Sequence, residues 1–441
     1  MKDAIAQGHS ILHAREKCVG CVTCTQACPT KALRVRGGRL TLKQDLCIDC
    51  GECIRCCRHG ANSAPDASTS DSSRFRLRVA LPSTTLFTQF GRDVRPAQVL
   101  DALTRIGFDA WYDMSWMCEM VARAVDTWLS ECSGPWPKIS VTCPAIVRLI
   151  LIRYPDLLPH LVPIEAPREL AAKLVRRRLA SERGLSPGEI GIFYLSPCSA
   201  LMQSIAAPVG LPESHIDVAL SIAGIYGRLL KAIKAGAREE HEPRSCAAGL
   251  QWAAGGGECA MMRNRNTMAV SGVADVTRVF DRIESGIYQG VDYIEAYLCP
   301  DGCVSGPLLI EGRYAARRTL RLLIENAGIE STVKEEKVRT LFREHFFDLE
   351  QDVRARPVRP RTTDLRQAVR LKQEKSAVLA KLPKKDCGAC GAPDCETHAE
   401  DVAAGDARID DCVFVHIETL ESGVARRGDP SCRATQGGKV P

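Results

Sequence analysis

No apolar run in this 441-residue chain is long enough to span a bilayer, and no charged-then-apolar leader opens it. The first absence argues against membrane insertion, and the second places the chain, as an expectation, in the cytoplasm. Charge of one sign is not in large excess either. The formal net charge is +6, too mild to point to nucleic acid, and no nucleic-acid partner is expected. Six arginines do fall between Arg354 and Arg370, a run that reads as a solvated linker or helix face. The nine histidines form no metal-spaced pair. The stretch "AAGGGEC" lacks the strand-then-GxGxxG setting of a nucleotide loop, so no phosphate site is read there. No segment reads as a PAS, kinase or phosphatase module, so any signalling output belongs to another protein.

What the chain has in abundance is cysteine, 22 in all and clustered. Without an export signal such clusters point to metal rather than disulfides. Cys18, Cys21, Cys24 and Cys28 stand at C-x2-C-x2-C-x3-C followed by Pro29, and Cys47, Cys50, Cys53 and Cys57 repeat the unit 29 residues later. This is the spacing of bacterial two-cluster ferredoxins, in which three close thiolates wrap one corner of a cubane and the fourth reaches the other cluster. The expected sets are Cys18, Cys21, Cys24 and Cys57 on one 4Fe-4S cluster, and Cys47, Cys50, Cys53 and Cys28 on the other. Zinc prefers cysteine pairs with a long insert and does not account for two tandem sets of four. Two departures stand out: Arg58 replaces the second proline, and Cys56 is an extra thiol beside Cys57, which leaves open which of the two is the ligand.

The organisation follows from composition. Residues 1–60 form the two-cluster domain, and the Ser-, Ala- and Asp-rich stretch 61–74 is a linker. From residue 75 short apolar runs ("FRLRVAL", "ISVTC", "IGIFYLS") read as buried strands, alternating with amphipathic stretches ("PAQVLDALTRIG", "PRELAAKLVRRRLA") that read as helices. Leu170, Leu174 and Val175 share a face of the second helix, with Arg176 to Arg178 running to solvent. Alternation implies an α/β domain with parallel sheets over 75–325. Residues 326–374 read as a helical linker: "STVKEEKVRTLFREHFFDLEQDV" is a helix candidate, broken by the prolines of "RARPVRPR". Residues 375–415 carry a third cysteine group, Cys387, Cys390, Cys395 and Cys412, and 416–441 form a tail. That group resembles single 4Fe-4S modules, with Gly388 and Gly391 allowing a tight turn around the cubane.

In the central region "VTCPAIVRLILIRYPDLLPHLVPIEAP", "LSPCSALMQSI" and "YIEAYLCPDGCVSGP" resemble, in order, the three signatures of the FeFe-hydrogenases, with "GLQWAAGGGEC" between the second and third. With the flanking cluster modules, the layout is similar to the sensory branch of that family. The resemblance implies an α/β two-lobed hydrogenase-like domain with parallel sheets, preceded by a small α+β ferredoxin-like domain and followed by a helical 4Fe-4S module. It implies that Cys143, Cys198, Cys299 and Cys303 hold a 4Fe-4S cubane, with Cys303 also bridging to a diiron subcluster bearing CO and cyanide. Gly302 and Gly306 would let the backbone close in. Cys118, Cys132, Cys246, Cys259 and Cys432 have no matched partner and read as structural or incidental thiols.

The departures from the family pattern decide the functional reading. Thr142 stands where the catalytic enzymes place a proton-passing cysteine. Leu201 replaces a lysine that donates to a cyanide, a charge-assisted bond worth roughly 1.5–3 kcal/mol. The helix "WYDMSWMCEMVARAVDTWL" has Arg123, Ala124 and Val125 where relay acids are expected, with Glu119 and Asp126 nearby, and Tyr297 replaces a methionine. The resemblance therefore implies an iron-sulfur redox protein that senses hydrogen or redox state and passes electrons to a redox or signalling partner. Two alternatives stay open: a slow hydrogenase using Thr142, water and Glu119 as its proton route, with hydrogen as substrate rather than ligand, and an electron-transfer protein with four cubanes and no diiron centre.

Overall fold

The computed structural model describes residues 3–4, 8–65, 74–236, 245–262, 264–327, 333–356, 362 and 364–427. The reading of 61–74 as linker lies largely outside them, as does Cys432. Among the described residues no helix is long and apolar enough to cross a membrane.

The N-terminal unit is built on two copies of one device. Each copy pairs a short 3-10 turn with a short helix, Thr23–Ala27 or Glu52–Arg55. The second helix is entered through Gly51 in the left-handed region and the first through Val22, also at positive φ. The hairpin Leu33–Arg36 with Arg39–Leu42 and small antiparallel pairings of Leu12–His13 with Asn62–Ser63 close the unit.

The central domain has two parallel sheets. In the first the strand order is Val218–Ser221, Ile190–Ser196, Leu77–Pro82, Ala110–Trp111. Alternate residues go to opposite faces of a strand, and here both faces are buried. Val79, Leu81, Ile190, Ile192 and Tyr194 pack on the helices Ser115–Glu131 and Pro167–Arg183, whereas Ala80, Phe193 and Leu195 pack on Pro96–Arg105 and Ile222–Lys234. Such two-sided burial is why these strands read as continuous apolar runs. The second sheet, Thr267–Ser271, Tyr293–Tyr297, Lys138–Ile139, is one-sided in its chemistry. Ile294, Ala296 and Leu298 face the helices Pro144–Arg153 and Val273–Glu284, while Tyr293, Glu295 and Tyr297 turn toward a buried polar seam that also holds Ser140 and Glu258.

Two expectations change. The strand read at "ISVTC" stops at Ile139, because the chain leaves the sheet to bring Cys143 to the start of the next helix. The long helix read from 331 is only Glu335–Arg343. His345 takes a positive φ, and Phe346 and Phe347 turn into the core of the first lobe, with Glu165 N donating to Phe347 O at 2.7 Å. Residues 333–350 are thus part of the central domain rather than linker. The helix Leu365–Lys381, N-capped by Asp364, packs through Val378 and Leu379 on Cys395–Ala403 and belongs to the C-terminal module.

Candidate metal centre

The first two sets of thiols separate cleanly in space. Cys18, Cys21, Cys24 and Cys57 line one small cavity, and Cys28, Cys47, Cys50 and Cys53 line another. Cys57, not Cys56, faces the first cavity. Its sulfur accepts from Ala61 N at 3.3 Å as Cys28 accepts from Ala32 N at 3.2 Å, the same contact one repeat earlier, whereas the Cys56 thiol turns back to Cys53 O. Burial pushes the Cys24 thiol up to about 12, with Cys56, Cys18 and its other sulfur neighbours adding to the shift. Burial likewise raises Cys53 well above the ordinary range, Cys28 and Cys47 adding to it. Thiolates crowded in dry cavities need a cation to exist at all. The donor set is four sulfurs with amide N–H groups aimed at them, which fits a 4Fe-4S cubane.

In the central domain every thiol of the third set sits where a parallel strand ends, the place where α/β sheets present their functional groups. Cys143 caps the helix Pro144–Arg153 and Cys198 caps Ser199–Ala206. Cys299 follows the strand Tyr293–Tyr297, and Cys303 opens the turn Cys303–Ser305. The structure brings all four together: Cys303 feels Cys198, Cys143 and Cys299. Burial raises the Cys143 and Cys198 thiols, while backbone amides pull them back, Leu298 just after the strand Tyr293–Tyr297 and Ile146 and Ala145 at the helix start for the first, and Leu201 and Ala200 at the helix start for the second. A Cβ on Gly302 would meet Gly255 N at 2.4 Å, and one on Gly306 would meet Pro197 O at the same distance. The loop carrying Cys299 and Cys303 closes over the site only because these positions have no side chain.

Beside Cys303 lies a cavity of about 50 Å³ lined by Thr142, Leu201, Tyr297, Cys118, Arg168 and Tyr194 among others. The Cys303 sulfur stands at one end, and the cavity's apolar and hydroxyl walls with the Arg168 cation would fit a small anionic metal fragment. Thr142 N donates to Ser140 Oγ at 3.2 Å, and Ser140 Oγ in turn donates to Glu258, whose ionisation the Thr142 side chain also eases. That carboxyl is 1% exposed and takes Ser140 Oγ at 2.7 Å, Tyr293 OH at 2.6 Å and Tyr297 OH at 3.0 Å. Burial raises Glu258 despite these donors, and burial together with Glu258 raises Glu295. Glu258 was not singled out in the sequence. Its only signal there is an acid in an otherwise small-residue stretch, "AAGGGEC", and its hydroxyl partners come from three separate segments. Glu119, by contrast, sits on another cavity with Arg123, Asp126 and Gln251. Its carboxylate takes Arg123 Nη2 at 2.9 Å and the Cys246 thiol at 2.8 Å.

The remaining set is also assembled. Cys390 feels Cys412 and Cys387, and Cys395 and Cys412 share one apolar cluster. This module docks on the N-terminal unit: Val35 N donates to Gly391 O at 2.8 Å, and Arg36 reaches Cys390 O. A Cβ on Gly391 would lie 1.7 Å from Val35 O, so this glycine is needed for docking as well as for its positive φ. Arg34 and Arg36 both bind the buried Asp401, and Lys31 and Lys43 reach Asp394 and Asp406. Also from the N-terminal unit, Arg55 Nη2 donates to Cys299 Sγ at 3.0 Å. Asp49, between Cys47 and Cys50, takes Arg148 Nη1 at 3.1 Å, His9 Nδ1 at 2.9 Å and Ser10 N at 2.9 Å.

Comparison with known proteins agrees with this construction. Residues 78–257 match the family described as iron only hydrogenase large subunit, C-terminal domain. Residues 10–58 match the 4Fe-4S dicluster domain, and residues 382–414 match a family of Fe-S cluster domains. The chain is 29% identical over 114 residues to iron hydrogenase 1 of Clostridium pasteurianum, 25% of this chain and 20% of that protein. It is 21% identical over 249 residues to the NADP-reducing hydrogenase subunit HndD of Solidesulfovibrio fructosivorans, 48% of this chain and 42% of that protein. The matches thus span less than half the length of either relative. An apo FeFe-hydrogenase from Chlamydomonas reinhardtii superposes with a TM-score of 0.51 at 14% identity, covering 66% of this chain and 97% of that one. A HydA structure recording stepwise H-cluster assembly gives 0.50 at 15%, with the same coverage. The likeness to solved structures is one of fold. The chain is an iron-sulfur protein with 4Fe-4S domains and an FeFe-hydrogenase-like fold.

Proposed function

We propose that this iron-sulfur protein with an FeFe-hydrogenase-like fold is a redox sensor in which four cubanes lead from a buried hydrogenase-type centre to a redox or signalling partner. The observation that carries the reading is the joint arrangement of the four thiol sets and the cavity. Each set adjoins the next through shared packing, while the cavity beside Cys303 carries Thr142 and Leu201 in place of a proton-passing thiol and a cyanide-holding lysine. Cys143, Cys198, Cys299 and Cys303 hold the central cubane in this reading, and Cys303 links it to a diiron subcluster with CO and cyanide. When bound, that group supplies hydrogen-binding chemistry. The chain's own residues wall it with Met114, Leu201 and Trp252, and Thr142 is linked to Glu258 through Ser140.

The test is an infrared spectrum of the anaerobic protein, matured with the hydrogenase machinery, in the window of iron-bound CO and cyanide. Bands that shift under hydrogen, with turnover far below that of the catalytic enzymes, are the expected result. Fast turnover overturns the sensor, and a silent spectrum beside full cubane signals makes the chain an electron carrier.

A second reading, slow hydrogenase turnover, has one observation in its favour. A carboxyl that burial makes harder to ionise, Glu258, has Thr142 of the cavity wall among its side-chain neighbours. Proton delivery by a positioned group contributes about 100-fold to 10,000-fold. If any hydrogen turnover is present, Glu258→Gln lowers it by at least tenfold on that route, whereas Glu119→Gln is the variant that stops the route through Glu119.

A further inference from the structure

Leu201 leaves the cavity without a lysine, yet the cavity is not without a cation. Arg168 lines it from the start of the helix Pro167–Arg183, together with Leu201, Thr142, Tyr194, Trp252 and Cys303. The residue is 8% exposed, and its buried Nε has no hydrogen-bond partner. Among the described residues its one ion-pair contact is long, 3.8 Å from Nε to Glu169 Oε1. Glu169 is already engaged elsewhere, by Ser214 Oγ at 2.9 Å and His215 N at 2.9 Å. The other acidic neighbour of Arg168 is Glu165, which burial pushes up to about 7 despite the pull of the guanidinium, so the buried Nε keeps an unmet donor in the cavity wall. Leu201, Met114, Pro167 and Trp252 make the apolar part of the cavity wall, and Cys303 and Cys118 are its thiols.

We propose that Arg168 supplies the charged donor that Leu201 cannot, holding a negatively charged ligand of the metal group bound at Cys303. The inference rests on the diiron reading above. A guanidinium presents five N–H donors in a fixed fork, so it can grip a terminal anionic ligand from a different helix than the one that carries Leu201. The sequence departure at Leu201 is then a relocation of the donor and not its loss.

The test loads the cubanes of the full-length protein in vitro and then offers a synthetic diiron dithiolate complex carrying carbonyl and cyanide ligands. Uptake is followed by infrared spectroscopy and by iron retained after desalting. In the wild-type chain the complex is expected to be retained. Arg168→Leu is expected to retain it roughly 10-fold to 100-fold less tightly, the loss of one charge-assisted bond, with the cyanide bands shifted. Adding Leu201→Lys to that variant is expected to restore retention. Equal retention with unchanged cyanide bands in Arg168→Leu overturns the assignment. No uptake by the wild-type chain overturns the diiron reading itself and the assignment with it, so the two failures are told apart by which protein fails. If Arg168→Leu does not hold its cubanes, Arg168→Lys keeps the charge but not the fork, and unchanged cyanide bands in it overturn the proposal.

Discussion

At the residue scale the buried acids set how the protein responds to pH. Burial pushes Glu165 up to about 7 and also raises Glu258 and Glu295. A carboxyl that is harder to ionise in the folded state keeps a proton the unfolded chain has released, so its stabilisation is present at low pH and lost as pH rises through the folded value. For Glu165 the ordinary value is 4.5, and the span to about 7 corresponds to roughly 3 kcal/mol. The melting temperature of the cluster-loaded protein is therefore expected to fall between about pH 5 and pH 8, and Glu165→Gln is expected to flatten part of that slope. A melting temperature that rises over this range would contradict the assignment. These acids were not legible in the sequence. Cysteine spacing announces itself because the ligands of a cubane lie close along the chain, but Glu258 takes its character from Ser140, Tyr293 and Tyr297, which only the fold brings near.

At the scale of elements, legibility followed the same division. The strands at "FRLRVAL" and "IGIFYLS" and the helices at "PAQVLDALTRIG" and "PRELAAKLVRRRLA" were plain because burial on a face imposes a period. The helix from 331 was overextended because nothing local shows that Phe346 and Phe347 are wanted in a distant core. Contacts between modules were also invisible, and they make two predictions. Asp49 is fully buried and paired with Arg148, 7% exposed. Leaving one member of a buried pair uncompensated costs about 3–5 kcal/mol, so Arg148→Met is expected to lower the denaturation midpoint and loosen the N-terminal unit from the helix Pro144–Arg153. The checks are chemical denaturation and limited proteolysis. Arg55 donates to Cys299 Sγ, and a cationic donor to a cluster sulfur favours the reduced, more negative cluster. Arg55→Met is expected to lower the potential of the central cubane by on the order of tens of millivolts, measured by an EPR-monitored titration. An unchanged potential would show that the contact does not act on the cluster.

At the scale of the whole molecule the modules form a sequence of neighbours. The C-terminal module rests on Val35, which also lines the cavity of Cys18, Cys21, Cys24 and Cys57. The cavity of Cys28, Cys47, Cys50 and Cys53 lies next, and Cys50 packs with Cys143 and Cys198 in one apolar cluster. The docking face is a set of basic side chains, Lys31, Arg34, Arg36 and Lys43, against Asp394, Asp401 and Asp406. Most of these pairs are partly exposed and open to screening, but Asp401 is 1% exposed. Asp401→Asn is expected to slow electron transfer between the outer cluster and its neighbour and to make the module easier to cleave away ahead of residue 364. A proteolysis pattern indifferent to that change would mean the apolar and backbone contacts at Val35 suffice.

That clasp between distant parts of the chain has a consequence for biosynthesis. The module that docks on residues 31–43 leaves the ribosome more than three hundred residues after them, whereas domains tend to fold as they emerge. A chain still being made, or one cut short ahead of residue 382, already has the thiols of its inner cluster sites but lacks those of the outer one, so in the proposed relay its last carrier is missing. On that proposal the relay is finished only when the polypeptide is.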